Sequence, residues 1–236
     1  MIISHKYKYV FVELPRTGST AVSKELRDLY DGQRMLKKHS TYTEFLKTAT
    51  PEEKKYFAFA AIRNPMDKLV SLYFKYKYDH RNYGDPDTFR GNNVFVKTLM
   101  QNQFRFVRER GASFPDFFRR YYHLPYDDWS SLDHAHLQYI LRFENLAEDF
   151  ADVLRRMNVT PQRPLPVVNK TQDRESDFWS YYTPETRNRA RWVFGPYFKR
   201  WGYKFPTDWT ADFPASSQWA FAVTNLGRHF YWRHLR

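Results

Sequence analysis

The chain has 236 residues, 42% of them hydrophobic and 19% aromatic, and no cysteine; that is apolar surface enough for a sizeable α/β core, and it excludes disorder. Without cysteine there is no disulfide, no thiolate nucleophile and no cysteine-based metal site. Lys and Arg number 38 against 26 Asp and Glu, a net charge of +12, which favours polyanionic partners: a nucleic acid, an anionic nucleotide or an acidic polysaccharide.

The opening stretch MIISHKYKYVFVEL holds no apolar run long enough for a signal peptide or a membrane span. A soluble, cytoplasmic protein is expected, although a chain trimmed of a membrane anchor would read the same. Residues 7–14 read as a strand rich in Val, Tyr and Phe. The turn Pro15-Arg16-Thr17-Gly18-Ser19-Thr20 follows, and then Val22, Leu26, Leu29 and Tyr30 recur at helical spacing. A second short strand is predicted over 34–38 and a short helix over 43–48. Residues 56–62 are apolar throughout and read as a strand buried on both faces. Asn64-Pro65 then opens a helix whose apolar face is Leu69, Leu72, Tyr73 and Tyr76. This order predicts a central parallel sheet flanked by helices, with ligands at the carboxyl ends of the strands.

Residues 78–93 form a long polar loop. Helices are predicted over 94–110 and 114–122, a strand over 137–143, and an amphipathic helix over 146–157. A proline-rich connector covers 161–166. Thr183-Pro184 starts a last long helix, which Gly195-Pro196 is expected to bend or break. One domain over 1–205 is expected, with 206–236 as an aromatic, basic tail packed on it.

Two turns carry candidate chemistry. In the first, Gly18 permits a tight backbone, the N–H groups of a helix start carry partial positive charge, Ser19 and Thr20 add hydroxyls, and Arg16 adds a planar cationic fork. It is neither the G-x-x-x-x-G-K-S/T loop nor the dinucleotide G-x-G-x-x-G; alone, a capped turn is as good a reading as a phosphate cradle. In the second, Arg63 leaves a strand end and Ser71 lies about two turns into the next helix, an Arg-plus-hydroxyl pair suited to another phosphate. Together they imply a ligand with two separated phosphates.

At this point the chain resembles a known family. P-R-T-G-S-T at 15–20 looks like the 5′-phosphosulfate loop of sulfotransferases, and R-N-P-M-D-K-L-V-S-L-Y at 63–73 looks like their 3′-phosphate motif. Leu141-Arg142-Phe143-Glu144-Asn145-Leu146, Val168-Asn169-Lys170-Thr171 and Trp201-Gly202-Tyr203-Lys204-Phe205 resemble later family segments in the same order. The likeness is nearest to the branch that includes carbohydrate-modifying enzymes. It implies a P-loop-like fold and a sulfuryl donor, 3′-phosphoadenosine 5′-phosphosulfate, with adenosine 3′,5′-bisphosphate as product and no metal. It also implies that Arg16, Thr17, Gly18, Ser19 and Thr20 hold the 5′ end, that Arg63 and Ser71 hold the 3′-phosphate, and that Asn169 and Lys170 close over the nucleotide. Most relatives carry Lys where this chain has Arg16, and Arg cannot readily donate a proton. Many carry His at the position of Glu13, for which the sequence suggests no role.

An alcohol acceptor needs a base, and His39 is the candidate. It follows the predicted second strand on the side of the phosphate turns, and relatives of this branch have a His at the matching position. The His134-Ala135-His136 pair lacks an evident third metal ligand; Glu144 reads as a second candidate base or, more often at a helix start, as a cap or core ion pair; and His80, Arg81 and Arg90 sit on the long loop, where they meet either the acceptor or solvent. The acceptor class favoured by the charge is a carbohydrate, with a lipid, a small phenol and a peptide tyrosine left open; no specific nucleic acid partner is expected. Two other classes stay open: a basic single-strand nucleic-acid binder, whose charge and aromatic content suit stacking, and a nucleotide-dependent kinase of related fold. A catalytically inactive scaffold is a third.

Overall fold

The computed structural model describes residues 1–80, 82–89, 94–128, 134–166, 175, 177–209 and 213–234. The chain forms two compact units, Met1–Asn64 with Asp128–Lys170, and Pro65–Asp127 with Thr171–Arg236.

The first unit is built on a five-stranded sheet. Its strands are β1 (Ile2–Ser4), β2 (Tyr9–Val12), β3 (Gln33–Arg34), β4 (Phe57–Ile62) and β5 (Tyr139–Arg142), ordered β3-β1-β2-β4-β5. The pairs β2–β4 and β4–β5 are parallel, while β1 runs antiparallel to both β2 and β3. The sheet is therefore mixed, not the parallel sheet expected from the element order. The reason is local: the few residues between Ser4 and Tyr9 can join only antiparallel neighbours, since a parallel pair needs a long crossover. The predicted strand at 34–38 is displaced to Gln33–Arg34, on the sheet edge.

Side-chain alternation explains why β2 and β4 are apolar without interruption. Tyr9, Phe11, Phe59 and Ala61 pack with Val22 and Leu26 of α1 (Ser19–Leu29) and with Phe150, Val153 and Leu154 of a helix at Leu146–Arg156. Val10, Val12, Ala58 and Ala60 point the other way, onto Tyr42 and Phe45 of α2 (Tyr42–Thr48). Both faces are buried, so neither strand can alternate with polar residues. Thr41 and Glu44 close a reciprocal capping box at the start of α2.

The second unit is helical. It contains α3 (Pro65–Lys77), α4 (Val94–Arg108) and α5 (Phe114–Tyr121), and, after the α6 helix of the first unit (Leu146–Arg156), α7 (Pro184–Trp201) and α8 (Ala215–His234). Aromatic rings dominate its core: Tyr73, Tyr76, Phe117, Phe118, Tyr182, Phe194 and Tyr197 are buried together. Such rings bury large areas, and their edge-to-face contacts add to that; Phe114 and Tyr182 meet at 78° with centroids 4.9 Å apart.

Helix α7 runs through Gly195-Pro196, where a bend or break was expected, and it is not broken there. Pro196 has no N–H for the carbonyl of Trp192, one helical turn earlier. The Ser217 hydroxyl donates to that carbonyl instead, at 2.6 Å. Gly195 is needed for a different reason: a Cβ there would lie 2.2 Å from Cγ of Phe213. Among the described residues, no helix is long and apolar enough to cross a membrane.

Candidate active site

Strands β2, β4 and β5 are parallel neighbours in register, with Val12 beside Ala60 and Ile62 beside Arg142. The segments that follow them leave the first unit's sheet at one edge, its carboxyl edge. That edge collects the turn at 13–18, the residues Arg63 and Asn64, and the turn Phe143–Asn145.

The first turn is held from within. Leu14 O accepts hydrogen bonds from the hydroxyls of Thr17, at 3.1 Å, and Ser19, at 2.6 Å. Arg16 and Gly18 both adopt left-handed backbone, with φ of 62° and 75°. For Arg16 this carries strain on the order of 1 kcal/mol, which the surrounding bonds must offset. Gly18 is the N-cap of α1; it supplies no side-chain cap, and the helix's first turn holds no acidic residue. The partial positive charge of the leading N–H groups is thus not offset by a carboxylate of the helix's own first turn. Thr20 is exposed at this end of the helix.

The second turn meets the first. Arg63 is 7% exposed. Its guanidinium lies over the Phe143 ring, 3.9 Å from the centroid, and donates to the main-chain carbonyl of Arg16 at 3.4 Å. Phe143 also reaches the first turn: a Cβ on Gly18 would lie 3.1 Å from its Cδ2 and 2.3 Å from Cδ2 of Leu146. Glu144 Oε1 accepts the N–H of Asn64 at 2.6 Å, fixing the exit of β4. The turn at 143–145 therefore braces both turns. The sequence marks this stretch as a family-like segment with Glu144 at a helix start; the bracing depends on β5 lying beside β4.

His39 comes to the same edge from the segment after β3. Its Nδ1 is 2.9 Å from the carbonyl oxygen of Glu13, the residue that follows β2. A carbonyl only accepts, so Nδ1 carries the proton and, in the neutral ring, Nε2 carries the lone pair. Burial holds the imidazole below its ordinary pKa; the bond to Glu13 opposes this, and the charge of Lys38 adds to it.

Glu13 itself is 1% exposed. Its Oε2 lies 2.7 Å from the Met1 ammonium and 3.6 Å from Nη1 of Arg34 on β3. Burial, the largest single influence, pushes this carboxyl up; the bond to and charge of the Met1 ammonium, the Ser23 hydroxyl and the charge of Arg34 together outweigh it and leave the group below the ordinary range. A lone carboxylate ending an apolar strand was the available sequence signal for such a buried ion pair.

Ser71 is buried on α3, in the second unit. Asn169, Lys170, Arg81 and Arg90 lie outside the described residues. His80 is exposed, His134 is buried, and His136 is exposed. Among the described residues, no group of three His, Asp or Glu side chains is placed to hold a metal ion.

The model of the sulfotransferase family matches residues 1–195, most of the chain. Neither the curated proteins nor the solved structures contain a match.

Proposed function

The chain belongs to the sulfotransferase family, and from that premise we propose that it moves a sulfuryl group from 3′-phosphoadenosine 5′-phosphosulfate to an acceptor hydroxyl. The observation that carries this reading is the contact set at the carboxyl edge of the sheet. An α1 N-terminus without a carboxylate cap and a buried Arg63 share Arg16 and Phe143 as neighbours. Such a donor set is cationic and suits two anionic groups on one nucleotide.

The bound donor supplies an activated sulfuryl group on a phosphate leaving group. The N–H groups at the start of α1 and the Arg16 fork bind the phosphosulfate end; Arg63 binds the 3′-phosphate. Ser71, Asn169 and Lys170 are proposed as further nucleotide ligands on the strength of their motifs alone. Nε2 of neutral His39 takes the proton of the acceptor hydroxyl as its oxygen bonds to sulfur. Arg16 and the α1 amides stabilise the electron pair that the breaking sulfur–oxygen bond leaves on phosphate. Arg16 does this by charge, without giving up a proton. Removing one such donor, as in Arg16→Ala, lowers turnover by ~10²–10³.

The acceptor proposed is a carbohydrate, with the net charge of +12 favouring one that is already acidic. The test is a thermal melt with two nucleotides. Adenosine 3′,5′-bisphosphate is expected to raise the melting temperature, and adenosine 5′-phosphate to do so far less. Equal shifts would overturn the paired-phosphate assignment. An acceptor screen with labelled donor, read by mass spectrometry, then identifies the hydroxyl.

A further inference from the structure

Helix α8 presents an exposed apolar face. Its inner side is well anchored in the second unit. Ser217 donates to Trp192 O, Phe221 is buried, and Asn225 Nδ2 donates to Asp127 Oδ2 at 2.6 Å. On the opposite side, Trp219, Val223, Leu226 and Phe230 are 76%, 65%, 74% and 60% exposed. Their spacing of four, three and four residues forms a continuous stripe along the helix, the repeat of a helix-pairing seam. No Lys, Arg, Asp or Glu occurs in the helix before Arg228.

We infer that this face pairs with the same face of a second copy of the chain, as two antiparallel helices about a two-fold axis. Three observations select this occupant. First, the chain carries a net charge of +12, so two copies repel except where both surfaces are uncharged; the stripe is such a surface. Secondly, helices that lie on lipid carry Lys or Arg along the apolar face; here Ala222 and Gly227 flank the stripe, and a basic position beside it, Arg233, comes only after Phe230. Small flanking residues let two helix backbones approach closely. Thirdly, the four side chains offer on the order of 500 Å² of apolar surface per copy, so a pair removes roughly 1,000 Å² from water, near the lower bound for a specific interface.

The orientation follows from charge. The basic residues of α8 begin at Arg228. Parallel pairing would set the two basic ends side by side; antiparallel pairing sets each against the partner's uncharged half and opposes the helix dipoles. In that arrangement Val223 faces Leu226 of the second copy, and Trp219 faces Phe230.

Sedimentation velocity on the full chain across the micromolar range tests this. The wild type is expected to dimerise, and Leu226→Glu and Val223→Lys each to weaken the dimer ~30-fold or more. Both positions are exposed, so at concentrations low enough for all three proteins to be monomeric their melting temperatures should agree, which separates lost pairing from lost folding. An equimolar mixture of the two variants should dimerise again, because it sets the introduced lysine opposite the introduced glutamate at one contact and keeps Val223 on Leu226 at the other. A monomeric wild type, dimeric single variants, or a mixture that stays monomeric would each overturn the proposal. So would wild type that remains monomeric yet floats with phosphatidylcholine–phosphatidylserine vesicles while Leu226→Glu does not, which would make the face a lipid contact.

Discussion

The Nδ1 atom of His39 and the carbonyl oxygen of Glu13 lie 2.9 Å apart. That bond ties a side chain from the segment after an edge strand to the end of β2. It sets both the tautomer and the direction of the imidazole. A ring held this way has one nitrogen committed to the scaffold and the other chemically able to accept a proton.

If Nε2 of His39 is the base, activity must follow its protonation. The folded pKa is lowered by burial from the ordinary 6.5, so the neutral form persists to lower pH than for a solvated histidine. Turnover is expected to fall on the acid side with an apparent pKa below 6.5, and to be level near neutrality. His39→Ala should lose ~10²–10⁴ in turnover while still binding adenosine 3′,5′-bisphosphate. The check is a pH–rate profile beside a nucleotide titration; unchanged turnover in the variant removes His39 as base.

Arg63→Lys keeps the charge and loses the planar fork. The stack on Phe143 and the bond to Arg16 O both depend on that plane. Affinity for adenosine 3′,5′-bisphosphate should drop by roughly tenfold to a hundredfold, the worth of a charged hydrogen bond or two. Affinity for adenosine 5′-phosphate should change little. Calorimetry on both nucleotides distinguishes a 3′-phosphate ligand from a merely structural arginine, which would weaken both alike.

Gly18→Ala is expected to be poorly tolerated. Its φ of 75° disfavours any side chain, and the new methyl would fall 2.3 Å from Leu146 Cδ2. Overpacking of this kind costs about 1–3 kcal/mol, and the left-handed backbone on the order of 1 kcal/mol more. A urea melt measures the loss, and nucleotide binding should weaken with it because the turn must shift.

Ser217 and Pro196 form a testable pair. Ser217→Ala leaves the Trp192 carbonyl without its donor and should cost about 1 kcal/mol. Pro196→Ala returns an N–H to the ladder at that same carbonyl. In a double-mutant cycle the serine change should therefore be milder on the Pro196→Ala background. Additive effects would mean that Ser217 does not substitute for the missing helix bond.

Much of this was readable along the chain. The apolar runs of β2 and β4 and the helical periods of α1, α3 and α6 are local patterns, because both faces of a strand or one stripe of a helix must be buried. The turn residues 15–20 and 63–65 are equally local, since backbone conformation and a helix start are set within a few residues. β1 was not readable: three residues make no period, and the strand exists only through its partners on either side. Nor was the continuity of α7, because the donor that sustains it comes from Ser217, in a stretch that reads as an aromatic tail. The role of Glu13 was hidden for the same reason, its partners being at the start of the chain and on β3.

The sequence by itself determined the inventory: two Arg-bearing turns proposed to hold anions, a histidine proposed as base, and the family to which their order belongs. Tertiary structure decided the company they keep. Arg63 finds Arg16 and Phe143, and His39 finds Glu13, only because strands far apart in the chain pair in register and end at one edge. Local propensity acts over a few residues, whereas a site is made by side chains that non-local strand pairing brings within a hydrogen bond of each other.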